Sequence, residues 1–264
     1  TVTAGDGGNS IDVLTGKNLV STGAGDDTVT VQSGANTIRA GGGADFIQLS
    51  NGANSVAAQS GADTIVAVSG SNRIDAGDDA DVIQLNGGSN TVFGGSGTDS
   101  ITVTAGTNRI DAGDDADTIQ LNNGTNFVAG GAGDDTIRAL SGVNSVDAGD
   151  GADVIALNAG NNTVLGNSGN DSITAANGTN VINGGADNDT ITALNGINTI
   201  DAGDDADVIN LSGGNNTVYG NSGTDSITAS GGRNWIDAGV DNDTITAVSG
   251  INTIQSGDGN DTIR

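Results

Sequence analysis

The chain lacks cysteine, proline, methionine and histidine, and has only one Trp, one Tyr and three Phe in 264 residues. Without cysteine and histidine there are no disulfides, no thiolate or imidazole metal ligands, and few of the pairs that activate a catalytic nucleophile. No apolar run is long enough to cross a bilayer as a helix. We therefore predict a protein that is not an enzyme and does not insert into membranes.

Positive charge is also scarce, because seven Lys and Arg residues face 33 acidic ones and leave a net charge of -26. Every acidic residue is Asp, and no Glu occurs. Nucleic acids and anionic membranes need basic patches, so this charge balance excludes them as partners. Short carboxylates beside turn residues instead favour binding of cations.

What the chain has in abundance is a repeat. Ile or Val recurs every nine residues from Val2 to Ile263, and 46 glycines punctuate the sequence, which excludes helix. A short fixed period is typical of solenoids. We predict an all-β, right-handed parallel β-roll or β-solenoid with two short strands per 18-residue coil and about 15 coils. Residues 1–264 would form one continuous domain with uncapped ends.

Two rows of polar residues follow the same period. The first, the aspartate row, consists of Asp27, Asp45, Asp63, Asp81, Asp99, Asp117, Asp135, Asp153, Asp171, Asp189, Asp207, Asp225, Asp243 and Asp261, and Asn9 takes its first position. The second, the asparagine row, lies halfway between and consists of Asn18, Asn36, Asn54, Asn72, Asn90, Asn108, Asn126, Asn144, Asn162, Asn180, Asn198, Asn216, Asn234 and Asn252. The two edges of each coil therefore differ in charge.

The loops before the two rows differ in the same way. Those before the asparagine row carry Gly two residues ahead and no carboxylate, whereas those before the aspartate row are acidic. In five of the acidic loops Asp replaces the usual Gly, and we call these residues the outer aspartates: Asp79, Asp115, Asp187, Asp205 and Asp241. Asp tolerates the left-handed conformation, so we expect the turn to survive there.

The stretch Gly130–Arg138, GGAGDDTIR, and the stretch Gly94–Thr102, GGSGTDSIT, fit the pattern G-G-x-G-x-D-x-U-x. This pattern resembles the RTX family of calcium-binding nonapeptide repeats, and the likeness extends over essentially the whole chain. The resemblance implies a parallel β-roll, export without a classical signal, and folding when calcium is met outside the cell. It also implies that each member of the aspartate row supplies a ligand, aided by loop carbonyls.

A physical argument leads to the same metal. Stacked carboxylates about 5 Å apart repel by roughly 3 kcal/mol per neighbouring pair at an effective dielectric constant near 20. A divalent ion between successive loops would offset this repulsion, and oxygen-only ligands on flexible loops favour Ca²⁺. We predict several Ca²⁺ ions held by the aspartate row and the outer aspartates. The alternative is that the Asp residues merely cap turns and point to solvent.

The asparagine row departs from the usual RTX roll, in which both edges carry Asp. Stacked amides can bond one another and the loop backbone, so we predict an amide ladder at this edge and cations only at the other. Ordinary turn chemistry of Asn is compatible with such a ladder.

The expected function is structural: a secreted or cell-surface stiff rod of a surface layer, an adhesin or a filament. The expected partners are further copies, end to end or side by side, or the continuation of a longer chain, and a cell-surface polysaccharide. Thr-x-Thr strands such as Thr190–Thr192 leave an ice-binding solenoid as an alternative, although residues such as Phe46 and Gln48 interrupt the array. A carbohydrate-targeting or secretion module of a larger exported enzyme is the other alternative, with Trp235 and Tyr219 as candidate contacts for a sugar or a protein.

Overall fold

The computed structural model describes all 264 residues as strands, turns and bends. None of it is a helix with the length and apolarity that a bilayer crossing requires. The chain divides into two compact units, Thr1–Ala132 and Gly133–Arg264. Both are built from 18-residue coils that each contribute one strand to each of two parallel sheets.

In the first unit the odd-numbered strands form one sheet and the even-numbered strands the other, each in chain order. Its strands are β1 (Val2–Thr3), β2 (Ser10–Val13), β3 (Lys17–Ser21), β4 (Thr28–Val31), β5 (Ala35–Gly42), β6 (Phe46–Leu49), β7 (Ala53–Ser60), β8 (Thr64–Ala67), β9 (Ser71–Asp78), β10 (Val82–Leu85), β11 (Ser89–Ser96), β12 (Ser100–Val103), β13 (Thr107–Asp114), β14 (Thr118–Leu121) and β15 (Thr125–Ala132).

The second unit repeats this arrangement, again with odd and even strands in separate sheets. Its strands are β16 (Thr136–Ala139), β17 (Val143–Asp150), β18 (Val154–Leu157), β19 (Asn161–Ser168), β20 (Ser172–Ala175), β21 (Thr179–Ala186), β22 (Thr190–Ala193), β23 (Ile197–Gly203), β24 (Val208–Leu211), β25 (Asn215–Asn221), β26 (Ser226–Ala229), β27 (Arg233–Asp237), β28 (Thr244–Ala247), β29 (Ile251–Gln255) and β30 (Thr262–Ile263).

Within each unit the strands pair in register, so each residue lies beside the residue 18 positions away. Ile83 pairs with Ile101, for example, and Ile191 pairs with Ile209. The predicted parallel β-solenoid of about 15 coils, with two strands per coil, is confirmed. The repeat fixes the register because a slip by one residue would turn every apolar side chain outward.

The core is a thin layer between the two sheets. From β3 to β28 the Ile or Val of each strand is buried. The residues two positions later are buried from β3 to β27, such as Leu85 on an even-numbered strand and Ala76 on an odd-numbered one. From β5 to β27 only Ala or Gly occupies that position on the odd-numbered strands, so the sheets approach closely there. An added Cβ at Gly94 would lie 2.2 Å from the carbonyl oxygen of Ala112.

Candidate metal-binding edge

The aspartate row lies inside the coils, at one edge of the core. Each Asp directly precedes a short strand, and alternation along the strand turns it to the same side as the Ile or Val two residues later. From Asp27 to Asp243 the row residues are only 1–2% exposed. The alternative in which these side chains cap turns and point to solvent is therefore wrong.

One carboxylate oxygen, Oδ1, is used in a ladder along the edge of each unit. The backbone N–H of one row residue donates to Oδ1 of the row residue 18 positions later, over distances of 2.7 to 3.1 Å within each unit. Asp63 and Asp81, for example, are linked at 2.7 Å. The ladder holds every carboxylate in the same orientation.

The second carboxylate oxygen is buried, and the protein supplies it with no hydrogen-bond donor. This holds for the Oδ2 atoms of Asp27, Asp45, Asp63, Asp81, Asp99, Asp153, Asp171, Asp189, Asp207, Asp225 and Asp243. A buried acceptor without a donor costs about 1–3 kcal/mol, and more when it is charged. A row of such atoms needs compensation by protons, cations or buried water molecules.

The pKa values of the row carboxyls reflect this environment. Burial, and next the charges of neighbouring aspartates, raise the pKa of Asp81, Asp153, Asp189 and Asp225 to about 7. The same causes raise it to about 6 for Asp45, Asp63, Asp99, Asp171 and Asp207, and upward for Asp243. The backbone N–H bond to each carboxylate opposes these shifts. The environment of this edge therefore disfavours the ionised form of the row carboxyls.

Asn9, which takes the first position of the aspartate row, shows what kind of group this position accepts. Its amide nitrogen donates to the carbonyl oxygens of Gly5 at 2.8 Å and Gly7 at 2.5 Å, and to Oδ1 of Asp27 at 3.0 Å. Three oxygen atoms therefore surround an electropositive group here. A carboxylate in the same position has no hydrogen to donate to such oxygens. A cation that binds oxygen ligands can therefore take that role at the other positions of the row.

The atoms available as metal ligands at this edge are carboxylate and carbonyl oxygens, which suit a hard cation such as Ca²⁺. Nowhere in the structure do three or more carboxylates converge as a ready-made metal cluster. An ion at this edge would therefore complete its six to eight oxygen ligands with loop carbonyls and water.

The outer aspartates occupy a different environment from the row. All five are exposed and have positive φ angles of 73–80°, as expected for Asp in place of Gly in this turn. Oδ2 of Asp79 accepts the backbone N–H of Gly61 in the preceding coil at 3.1 Å, and Asp115 and Asp187 make the equivalent contact. Their charges contribute to the raised pKa of nearby row carboxyls, as that of Asp79 does for Asp81.

The asparagine row forms the predicted amide ladder at the opposite edge. Each side-chain nitrogen donates to Oδ1 of the next row member, over 2.7–2.9 Å within each unit. It also donates to the loop carbonyl three residues earlier, as Asn72 does to Ser69 at 3.2 Å. Both amide hydrogens and the oxygen are satisfied, so this edge needs no ion.

The stacked coils and the buried carboxylate row define a repeat solenoid with an acidic edge suited to cations. The sequence matches the profile of the RTX calcium-binding nonapeptide repeat (4 copies) at residues 3–38, 30–65, 66–101, 93–128, 102–137, 120–155, 129–164, 157–191, 183–218, 192–227, 219–250 and 246–264. The chain belongs to this family of calcium-binding repeats. No curated protein sequence matches it.

Among solved structures, the chain is similar to a hyperactive, Ca²⁺-dependent, β-helical antifreeze protein from an Antarctic bacterium. The sequences are 19% identical and the TM-score is 0.56. The alignment covers 97% of this chain and 83% of the other. At this identity the likeness concerns the fold.

Proposed function

We propose that the protein is an extracellular structural module that folds on binding Ca²⁺ along the aspartate row. The observation that carries this proposal is the buried Oδ2 atoms, which receive no donor from the protein. Membership of a calcium-binding repeat family supports the choice of ion. Bound Ca²⁺ would supply positive charge between carboxylates that otherwise repel one another.

In this proposal the chain's own residues prepare the edge. The Oδ1 ladder orients each carboxylate, and at the first row position the loop carbonyls of Gly5 and Gly7 lie within 2.8 Å of the side-chain nitrogen of Asn9. Asp63, Asp81 and Asp99 are typical of the residues that would hold the ions, and the outer aspartates would raise the local negative potential. Low calcium inside the cell would leave the chain unfolded for export, and high external calcium would fold it.

The structural role follows from the absence of other chemistry. No His, Cys or Glu is available, and the most perturbed groups are the repeated carboxyls of the edge. We assign the module to a surface layer, an adhesin or a filament, where copies associate end to end or side by side. Electron microscopy of the Ca²⁺-loaded protein checks this assignment, and only discrete single particles at high concentration would argue against it.

Circular dichroism of the ion-depleted protein near neutral pH tests the calcium step. We expect the β-sheet signal without added ions to be weakened and to melt at a low temperature. The signal and the thermal midpoint should rise on titration with Ca²⁺ and respond much less to Mg²⁺. Calorimetry should show several Ca²⁺ ions bound per chain. An unchanged signal and unchanged thermal midpoint after ion depletion would contradict the proposal.

A second candidate is ice binding, favoured by the hydroxyl columns on the even sheet of the second unit. Ser172 and Thr174 pair with Thr190 and Thr192, and the same columns continue on β26 and β28. Val208 and Asn210 on β24 interrupt them. Thermal hysteresis of the Ca²⁺-loaded protein, lost in Thr192→Lys and kept in Thr163→Lys on the other sheet, would establish this activity, and no hysteresis would dismiss it.

A further inference from the structure

A groove of about 360 Å³ runs along the odd-numbered sheet of the second unit. It crosses β23, β25, β27 and β29, so it extends over about 14 Å at the usual spacing of strands. Its walls are the outward residues just before and just after each asparagine-row member. They include Ile197, Asn215, Thr217, Arg233, Trp235 and Ile251.

The groove contains the chain's single tryptophan, held by its single tyrosine. The ring centroids of Tyr219 and Trp235 are 5.2 Å apart at 64°, an edge-to-face contact that fixes the indole. Trp235 lies beside Thr217 and Thr253 on the adjacent strands, in a column that carries Thr in three of these four coils. One large half-buried ring therefore stands among small polar neighbours.

The groove wall carries one positive charge, whereas Asp201 and Asp237 flank Tyr219 in the next outward column. No carboxylate lines the groove, although the chain has 33 Asp residues. No coil has an Asp between the fourth residue before and the second residue after its asparagine-row member. The columns beside that row instead hold four of the seven basic residues, namely Lys17, Arg73, Arg109 and Arg233. The exposed guanidinium of Arg233 is the one charge in the groove wall.

We propose that the Trp235 groove binds a segment of a carboxylate-bearing polysaccharide. A sugar ring offers an apolar C–H face to Trp235 and hydroxyl groups to Asn215 and Thr217. A uronate carboxylate matches the fork of Arg233, which binds carboxylates bidentately. The site is independent of the calcium edge, because none of its lining residues belongs to the aspartate row.

The dimensions favour a sugar over a protein partner. A stable protein interface buries about 800 Å² on each side around an apolar centre, whereas the exposed apolar side chains here are Ile197 and Ile251 at the groove walls beside the two aromatic rings. Nucleic acid needs several cations to neutralise successive phosphates, whereas the single guanidinium here matches one carboxylate of a sugar segment. A narrow groove with one ring, one guanidinium and several amide and hydroxyl groups suits an oligosaccharide.

The test titrates the full Ca²⁺-loaded chain with a hyaluronan hexasaccharide, at fixed free Ca²⁺, and follows tryptophan emission and calorimetry. We expect a saturable change in emission, since Trp235 is the only tryptophan. The methyl ester of the hexasaccharide, which lacks the carboxylate charge, should bind at least about tenfold more weakly, because a charged hydrogen bond contributes roughly 1.5–3 kcal/mol.

Each substitution introduces a residue that other coils already have at the equivalent position. Arg233→Asn should weaken binding about tenfold or more, as the ester does. Trp235→Thr should abolish binding in calorimetry, and Arg73→Thr in the first unit should leave it unchanged. Circular dichroism confirms that each variant is folded.

Absence of a saturable response from the folded wild-type chain would overturn the proposal, and so would equal binding of acid and ester. Self-association in the ultracentrifuge that is lost in Trp235→Thr, without any response to sugar, would also overturn it and identify the groove as a contact between copies.

Discussion

At both edges of each coil, equivalent side chains stack on those of the next coil. The side chains at the two edges differ by one group. At both edges an Asx side chain turns into the core and is linked to the equivalent residue in the next coil. Asn brings two donors and one acceptor, so the asparagine row satisfies itself. Asp brings acceptors only, so row members such as Asp63, Asp81 and Asp99 have an Oδ2 without a donor.

The proposed calcium dependence therefore rests on a single atom per coil. Replacing the amide nitrogen of Asn by the second carboxylate oxygen of Asp keeps the shape of the side chain. The Asn side chain needs no ion at its edge, whereas the Asp side chain is expected to need a cation. Asn9 makes the point within the aspartate row, because its nitrogen donates to three oxygens at the first position. In the proposed function the neutral edge stabilises the stack with or without ions, and the acidic edge makes the stability of the stack depend on bound cations.

Converting part of the neutral edge to the acidic kind should have the largest effect. In Asn72→Asp, Asn90→Asp and Asn108→Asp combined, each carboxylate loses the donation to the next row member and to a loop carbonyl. An uncompensated buried charge costs about 3–5 kcal/mol, so the triple variant should not fold near neutral pH. Circular dichroism and urea denaturation measure this loss.

Asn51→Asp is the matched control, because Asn51 is exposed and uses only its oxygen, toward the N–H of Gly52. It should change the free energy of unfolding by less than about 0.5 kcal/mol. A triple variant as stable as the control would show that the amide ladder contributes nothing to folding.

Acidification should have the next largest effect, and its sign should depend on whether ions are bound. The folded pKa values of about 6 for Asp99 and about 7 for Asp81 lie above the ordinary value of 3.8. The stability from their protonated forms is complete below the unfolded pKa and is lost as pH rises through about 6 to 7. The ion-depleted protein should therefore melt at a higher temperature near about pH 5 than near about pH 8.

Two controls separate this effect from general charge repulsion. Added monovalent salt screens exposed charges far more than buried ones, so the difference between the two pH values should persist at high salt. The Ca²⁺-loaded protein should show the reverse trend, since protons compete with the cation. A thermal midpoint of the ion-depleted protein that is flat or rising across this range would refute the raised pKa values.

A single change at the acidic edge should have a smaller effect, and of opposite sign. Asp81→Asn supplies a donor at a buried position where Oδ2 has none, while Oδ1 can still accept the N–H of Asp63. We expect the ion-depleted protein to gain about 1–3 kcal/mol in the free energy of unfolding near neutral pH. Calorimetry should show fewer Ca²⁺ ions bound.

Asp78→Asn is the control for the charge change, because Asp78 is exposed and accepts the hydroxyl of Ser96. Asn9→Asp is the reciprocal variant, which should lower stability without ions and bind additional Ca²⁺. If Asp81→Asn destabilises the ion-depleted protein, the missing donor is not the source of the calcium requirement.

Much of this comparison could be predicted from the sequence, since a fixed period determines which residues stack. The pairing of Ile83 with Ile101, the amide ladder and the left-handed turn at Asp79 all follow from position in the repeat. We did not predict from the sequence that the aspartate row is buried, although the alternation of side chains along a strand indicates it. Asp27 and Val29 are two residues apart and so face the same side.

Other features depend on side-chain conformation, which spacing does not fix. Tyr219 and Trp235 lie in adjacent coils, two columns apart, and only the rotamers bring their rings into contact. The bonds of Asn9 depend on the path of the first loop, where the repeat begins. The sequence shows which residues stack in the column that contains Trp235. It does not show that a cavity lies between the side chains on either side of that column.

The smallest expected effect concerns the outer aspartates and separates a ligand from a nearby charge. Asp79→Gly restores the residue that most coils have at this turn and relieves a left-handed Asp, a gain of about 1 kcal/mol. It also removes the acceptor for the N–H of Gly61, a loss of about 1 kcal/mol. Stability without ions should therefore hardly change.

Calcium titration of Asp79→Gly then decides the role of this carboxylate. If it acts through its charge alone, affinity should fall only a few-fold and the number of bound ions should stay the same, with the loss disappearing at high salt. If it is a ligand, one ion should be lost or bound far more weakly at any salt concentration. Asp111→Asn, on the outer face of the long strand β13 and away from the loop, should alter neither affinity nor ion count, since its charge lies outside the acidic edge.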